Sequence, residues 1–168
     1  VMILEKALDV LDGASKGNSA ILHTGFDALP GSLEQKCLAR GYAEYHKVAL
    51  KLGLPILKSG AMVLAWNEEQ LAQLPALIKK AHKNGVYDVA MLSRDEILAR
   101  EPHLSKSVLG GFEVPREFLI DPWASAHAYL LQAMANGAVL YRDTEVVAGQ
   151  YDGQQWRLET NAGSVCAA

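Results

Sequence analysis

The chain has 168 residues, 50% of them hydrophobic and 21% charged, which is enough for one ordinary core or two small ones. Its formal net charge of -3 provides no basic field for a nucleic-acid backbone, so nucleic acid is not expected as a partner. Apolar runs such as 61–66 fall far short of the roughly 20 residues that span a bilayer, and no basic-then-apolar leader opens the chain. The expected setting is cytoplasmic with no transmembrane segment, and peripheral attachment to a membrane is left open. Cys37 and Cys166 stand far apart in no metal-ligand spacing. They read as buried or incidental thiols, and no metal site is expected.

Val1-Met2-Ile3-Leu4 is an apolar run suited to a buried strand that stops on the charges of Glu5 and Lys6. It reads as the edge of a small, incomplete parallel sheet, cut from something longer. Residues 11–31 are rich in Gly, Ser, Asn and Asp and read as a long irregular segment, a kind that usually carries function. Ser32-Leu33-Glu34-Gln35 has the pattern of a capping box, and Leu38, Tyr42, Tyr45, Ala49 and Leu52 form one stripe of a helix that Gly53 ends. Residues 60–66 read as a strand. Asn67 caps a helix closed by Asn84-Gly85, which Pro75 should kink or restart. A second box, Ser93-Arg94-Asp95-Glu96, starts a short helix stopped by Glu101-Pro102. Residues 108–114 are strand material, placed with 60–66 in a separate, largely antiparallel sheet. Asp121-Pro122 opens a helix to Asn136, with Gly137 as its left-handed cap. Short strands follow near 138–140 and 144–148. Asp152-Gly153 is a hairpin turn into 155–160, and Asn161-Ala162-Gly163 turns into a last segment that also reads as cut at Ala168.

Leu4-Glu5-Lys6, the segment Gly13 to Gly25 and Pro30-Gly31-Ser32-Leu33, taken in order, resemble the D-amino-acid oxidase and glycine oxidase superfamily. Within it the chain looks most like L-2-hydroxyglutarate oxidases and FAD-dependent glycerol-3-phosphate dehydrogenases. The family's later landmarks also follow in order: a strand like 60–65, Glu101-Pro102, a hairpin ending at Asp121-Pro122 and the Gly137-Ala138-Val139 strand. The resemblance implies an α/β (α+β) fold, an incomplete FAD-binding Rossmann-like part plus a substrate domain with a largely antiparallel sheet and helices. Residues 1–59 and 137–168 would be pieces of the FAD-binding domain. Residues 60–136 would be mainly substrate domain, with a helix returning to the FAD domain. The family's G-x-G-x-x-G turn should stand about 20 residues before the acidic residue that ends the second strand. Residues 1–168 contain no such fingerprint. The chain is therefore expected to be a fragment, with FAD a cofactor of the parent protein that this segment alone does not hold.

The resemblance assigns roles residue by residue. Glu5, at a strand end with Lys6 after it, would accept hydrogen bonds from the adenosine ribose, although such a residue is also a natural first solvated position. Ala14, Ser15, Lys16, Gly17 and Asn18 match the segment beside the pyrophosphate and flavin, where small residues let backbone donors approach anionic oxygens; the bare composition is equally that of a turn. The family commonly has threonine, arginine or histidine where Lys16 stands. His23 and Gly25 match the positions close to the isoalloxazine ring, which makes His23 the candidate catalytic acid or base. Val146, or Val147 if the register slips, matches the position that meets adenine. His46, His82, His103 and His127 share no spacing that converges on a metal.

The reaction implied is oxidation of a CH–OH group in a small anionic substrate, a 2-hydroxy acid or glycerol 3-phosphate, by an FAD-dependent dehydrogenase or oxidase. The electron acceptor is left unassigned. A non-catalytic remnant acting as a small binding or scaffold domain is the alternative. Arg116 could meet an anionic group or be an ordinary turn arginine.

Overall fold

A computed structural model describes residues 1–167; Ala168, where the expected last segment ends, lies outside the described residues. The elements in chain order are β1 (Met2–Leu4), β2 (Ile21–Leu22), α1 (Leu33–Leu52), β3 (Ile56–Leu57), β4 (Ala61–Ala65) and α2 (Glu68–Lys83). There follow β5 (Ala90–Ser93), α3 (Arg94–Arg100), β6 (Gly110–Val114), β7 (Phe118–Ile120) and α4 (Pro122–Ala135). The chain continues with β8 (Val139–Tyr141), β9 (Val146–Tyr151), β10 (Trp156–Thr160) and β11 (Gly163–Ala167). Two compact units divide it, Val1–Ser19 with Pro122–Ala168, and Ala20–Asp121. By contacts, α4 groups with 1–19, as a helix returning to the cofactor part would, while 20–59 group with 60–121.

Local chemistry sets the helix ends. Ser32 Oγ accepts the Gln35 N–H at 3.1 Å, but the Ser32 N–H goes to the Leu29 carbonyl at 3.0 Å, so the expected reciprocal box is only half made. Ser93 and Glu96 make the full box, with Ser93 N–H to Glu96 Oε2 at 2.8 Å and Glu96 N–H to Ser93 Oγ at 3.3 Å. Asn67 Oδ1 accepts the Gln70 N–H at 2.8 Å. The helix it opens does not restart at Pro75, which lies inside a single element. Asp121 directly precedes Pro122, the first residue of α4. At the other end Gly137 takes φ +87°, while its N–H reaches the Met134 carbonyl and that of Ala138 the Ala133 carbonyl. That pair of bonds is a Schellman stop, and only a left-handed residue allows it.

The unit of residues 20–121 is built on the antiparallel sheet β4-β6-β5, covered on both faces. Side chains alternate along β6. Phe112 and Val114 pack with Ala65, Leu74 and Ala81, the last two on α2. On the opposite face Ile97 of α3 joins Leu92 and Val108, with Met62 and Leu64 of β4 against them. Burial on both sides explains why this central strand is mostly Gly, Phe and Val, and its single charge, Glu113, is paired with Arg100 of α3. A second sheet, β2-β7-β3, is also antiparallel. The expected hairpin ending at Asp121-Pro122 does not form: β6 and β7 are joined by a tight turn but pair in different sheets.

In the other unit β1 pairs with β8 in parallel, Met2 opposite Val139, which places the opening apolar run in a parallel pair apart from the strands of 60–66 and 108–114. β9, β10 and β11 form an antiparallel meander. Its first turn is organised by Asp152, whose Oδ1 accepts the N–H groups of Gln154 and Gln155 at 2.9 Å each. Cys37 and Cys166 are both exposed, so neither is a buried thiol. They lie on polar positions of α1 and of the meander's outer strand.

Candidate functional site

The residues matched to cofactor binding in 1–19 gather around the end of β1. The Glu5 backbone is held from both sides, its N–H on the Tyr141 carbonyl and its carbonyl taking the Thr144 N–H, each at 2.9 Å. Its Oε1 turns back to accept the Ala7 N–H at 2.8 Å. The carboxylate therefore has a fixed direction. Glu5, Gly13, Ala14 and Ser15 line one groove of about 340 Å³, floored by Ile3, Leu130 and Leu140. The segment after it folds on itself: Lys16 N–H to the Gly13 carbonyl at 3.1 Å, Asn18 Nδ2 to the Ser15 carbonyl at 2.8 Å, and Trp123 Nε1 to the Lys16 carbonyl at 3.2 Å. Lys16 lines a second groove with Asp9, Trp123 and His127. It shares a third with Lys6 and Asp12. Nothing lies within 4 Å of where a side chain on Gly17 would begin. Val146 is 44% exposed on β9 and lines none of these grooves.

These groups suit the hydroxyl-bearing end of a dinucleotide. An oriented carboxylate accepts from hydroxyls, and Gly13, Ala14 and Ser15 leave the groove wide beside it. A pyrophosphate needs several convergent backbone donors, as a glycine loop and a helix start supply them. In the segment 13–18 the Lys16 N–H and the Asn18 side-chain amide are engaged in closing the turn.

His23 and Gly25 belong to the unit of residues 20–121. The register of β2 against β7 sets Leu22 opposite Phe118, and one step further along it His23 faces Glu117. His23 Nδ1 lies 3.1 Å from Glu117 Oε2, with the histidine side chain 38% exposed and the glutamate 3%. The other oxygen, Oε1, accepts both the N–H and the Oγ–H of Thr24 at 2.6 Å. Gly25 takes φ +82°, and a Cβ there would stand 3.2 Å from Leu38 Cβ, so the loop after His23 requires glycine. Asn84 then pins that loop, its Nδ2 donating to the carbonyls of Gly25, Phe26 and Ala28. A partly open imidazole thus stands on a buried carboxylate at a rigid loop, an arrangement suited to passing one proton.

Sequence reasoning did not single out Glu117 or Thr24. The one available signal was a charged residue set between the apolar runs of β6 and β7. Arg116, its neighbour, is committed to Asp88, with Nε and Nη2 each 2.8 Å from a carboxylate oxygen. Its anionic partner is thus within the chain. That hydrogen bond holds the Asp88 carboxyl below its ordinary 3.8, while burial pushes the Tyr42 hydroxyl up despite Arg116 close by. A depressed folded-state value means that the stabilisation is present above pH 3.8 and fades as pH falls through the lower folded value. Both side chains are more than a third exposed, so solvent screening keeps the effect below about 1 kcal/mol. Urea titrations at neutral pH and near pH 3 should show Asp88→Asn losing less stability on acidification than the parent; equal losses would remove this pair from the acid response.

Among the described residues no group of three or more His, Cys, Asp or Glu side chains is placed to hold a metal, and no helix is long and apolar enough to cross a membrane. The sequence profile of the FAD dependent oxidoreductase (DAO) family matches residues 1–168, and the chain belongs to that family. A glycerol 3-phosphate dehydrogenase of Caloramator mitchellensis is 31% identical over 161 residues, 96% of this chain and 34% of the relative. An L-2-hydroxyglutarate dehydrogenase of Indibacter alkaliphilus is 25% identical across 98% of this chain and 41% of its own length. The structure of L-alpha-glycerophosphate oxidase from Mycoplasma pneumoniae with FAD bound superposes with a TM-score of 0.89 at 27% identity, over 95% of this chain and 43% of that one. The chain thus spans between a third and a half of the length of each of these three relatives.

Proposed function

We propose that the whole protein is an FAD-dependent dehydrogenase or oxidase that oxidises the CH–OH group of a small anionic substrate, glycerol 3-phosphate or a 2-hydroxy acid. The observation that carries this reading is the His23–Glu117 pair, set on a chain similar from end to end to enzymes named for those two substrates. FAD, when bound, supplies the acceptor for the substrate's hydride. Glu5 would hold the ribose, with Ala14, Ser15, Lys16, Gly17 and Asn18 beside the more anionic part, Lys6 and Lys16 adding positive charge, and Val146 against adenine. Gly25 keeps the loop close to the ring position, and His23 takes the substrate's hydroxyl proton on Nε2. Residues 1–59 and 137–168 would serve the cofactor and 60–136 mainly the substrate. This division by role cuts across the compact units.

Anaerobic addition of glycerol 3-phosphate and, separately, L-2-hydroxyglutarate to the whole flavoprotein tests the reading. Bleaching of the oxidised flavin by one of them, saturable and followed by turnover with an artificial acceptor, is expected. No bleaching by either would overturn the substrate class. The polypeptide 1–168 alone is expected to bind FAD about 10²–10⁴-fold more weakly than the whole protein, since losing two charge-assisted hydrogen bonds to phosphate costs roughly 1.5–3 kcal/mol each. Flavin fluorescence titrations of the two proteins measure it, and equal affinities would mean that residues 1–168 hold a phosphate site of their own.

A further inference from the structure

We infer that Glu117 is a positioning residue that fixes the tautomer of His23, keeping the proton on Nδ1 so that Nε2 presents a lone pair. The inference deepens the reading above, in which His23 is the base, and rests on it for its consequence in turnover. The geometry starts from the buried Thr24, whose backbone N–H can only donate and is aimed at Glu117 Oε1 at 2.6 Å. Its hydroxyl points at the same oxygen. Oε1 is thereby committed, and the carboxylate, 3% exposed, has Oε2 left for His23 Nδ1. A carboxylate only accepts, so Nδ1 must be the donor. In a neutral imidazole that leaves Nε2 as the acceptor. The β2–β7 register and the Asn84 clamp on the following loop fix both partners.

Glutamine at 117 has nearly the same shape and the opposite consequence. Its single carbonyl oxygen is claimed by the Thr24 N–H, so its NH₂ group faces Nδ1. Two donors cannot meet there, and the imidazole moves its proton to Nε2, where it can no longer accept one.

The test uses the whole flavoenzyme labelled with ¹⁵N-histidine, read at a pH where the imidazole is neutral, the His23 signals being assigned by their loss in His23→Asn. The parent should show a protonated Nδ1 and an unprotonated Nε2. Glu117→Gln should invert the two and lower kcat on the order of 10²-fold, the scale of a lost general base, with KM and flavin content little changed. Glu117→Asp should restore the parent tautomer in part. A parent protonated on Nε2 would overturn the inference, as would a Gln variant whose tautomer does not change. If Glu117→Gln does not fold, the parent spectrum alone decides. An inverted tautomer with unchanged turnover would support the positioning by Glu117 and overturn the role of His23 as base.

Discussion

His23→Asn in the whole flavoenzyme should lower kcat by about 10²–10⁴-fold, the range for removing a positioned general base. Asparagine is the informative replacement. Its side-chain amide can still donate to Glu117 Oε2, which is buried and loses its donor if His23 is simply truncated. Leaving that oxygen unpaired would cost about 1–3 kcal/mol and mix a folding defect into the kinetics. With asparagine the urea midpoint should hold while turnover falls, and the limb of the pH–rate profile that reports the base should disappear. Flavin content should also hold, because the groups assigned to the dinucleotide end lie at Glu5 and the segment 13–18. A fall of less than about 3-fold is far below what a general base supplies, and it would leave His23 a structural residue of its loop.

What could be read in advance follows the range of the interactions involved. Helix ends depend on neighbours three or four residues away, and the stops at Gly53, Asn84-Gly85, Glu101-Pro102 and Gly137 all stand in the structure where the residues place them. The capping pattern at Ser32 was half misleading because a carbonyl from the preceding turn, that of Leu29, took the donor. Pro75 was expected to kink its helix or restart it, and the restart does not occur. Packing of Leu74 and Ala81 into the core holds α2 together as one element, which propensity alone does not weigh.

Short strands were the least legible. β2 and β3 have two residues each and β7 has three, too few for any period, and they exist because they meet one another from distant parts of the chain. The same pairing brings Glu117 to His23 and Thr24, across 93 positions in the case of Thr24. No local pattern could announce that pair. The family resemblance assigned Glu5 and residues 14–18 to the cofactor separately, and that Glu5 and residues 13–15 line one groove is visible only in the structure. Val146 came from the same resemblance, and the structure sets it on the β9 meander rather than in that groove.

Gly111→Ala is expected to be the most damaging single methyl in the unit of residues 20–121, at about 3 kcal/mol, the upper end for overpacking a core. A Cβ at Gly111 would stand 2.4 Å from the Val63 carbonyl oxygen, 3.2 Å from Leu64 Cδ2 and 3.3 Å from Ile97 Cδ1. The first of these is backbone in the adjacent strand, and it can move only by spreading β4 from β6. The position does not have a positive φ, so alanine meets no torsional penalty there; its unfolded-state advantage over glycine, about 0.4–1 kcal/mol, offsets part of the clash. Gly110 is the internal control. A Cβ there meets Leu71 Cδ1 at 3.0 Å, the far end of a flexible side chain that can turn away. Gly110→Ala should therefore cost about 1 kcal/mol, the low end of the same range. The difference is also functional, because β6 runs into the turn that carries Glu117 and a spread sheet would move the carboxylate under His23. Urea unfolding of the two variants beside the parent decides it: equal losses would mean that the β4–β6 spacing tolerates a side chain at position 111 and that glycine there answers no steric demand.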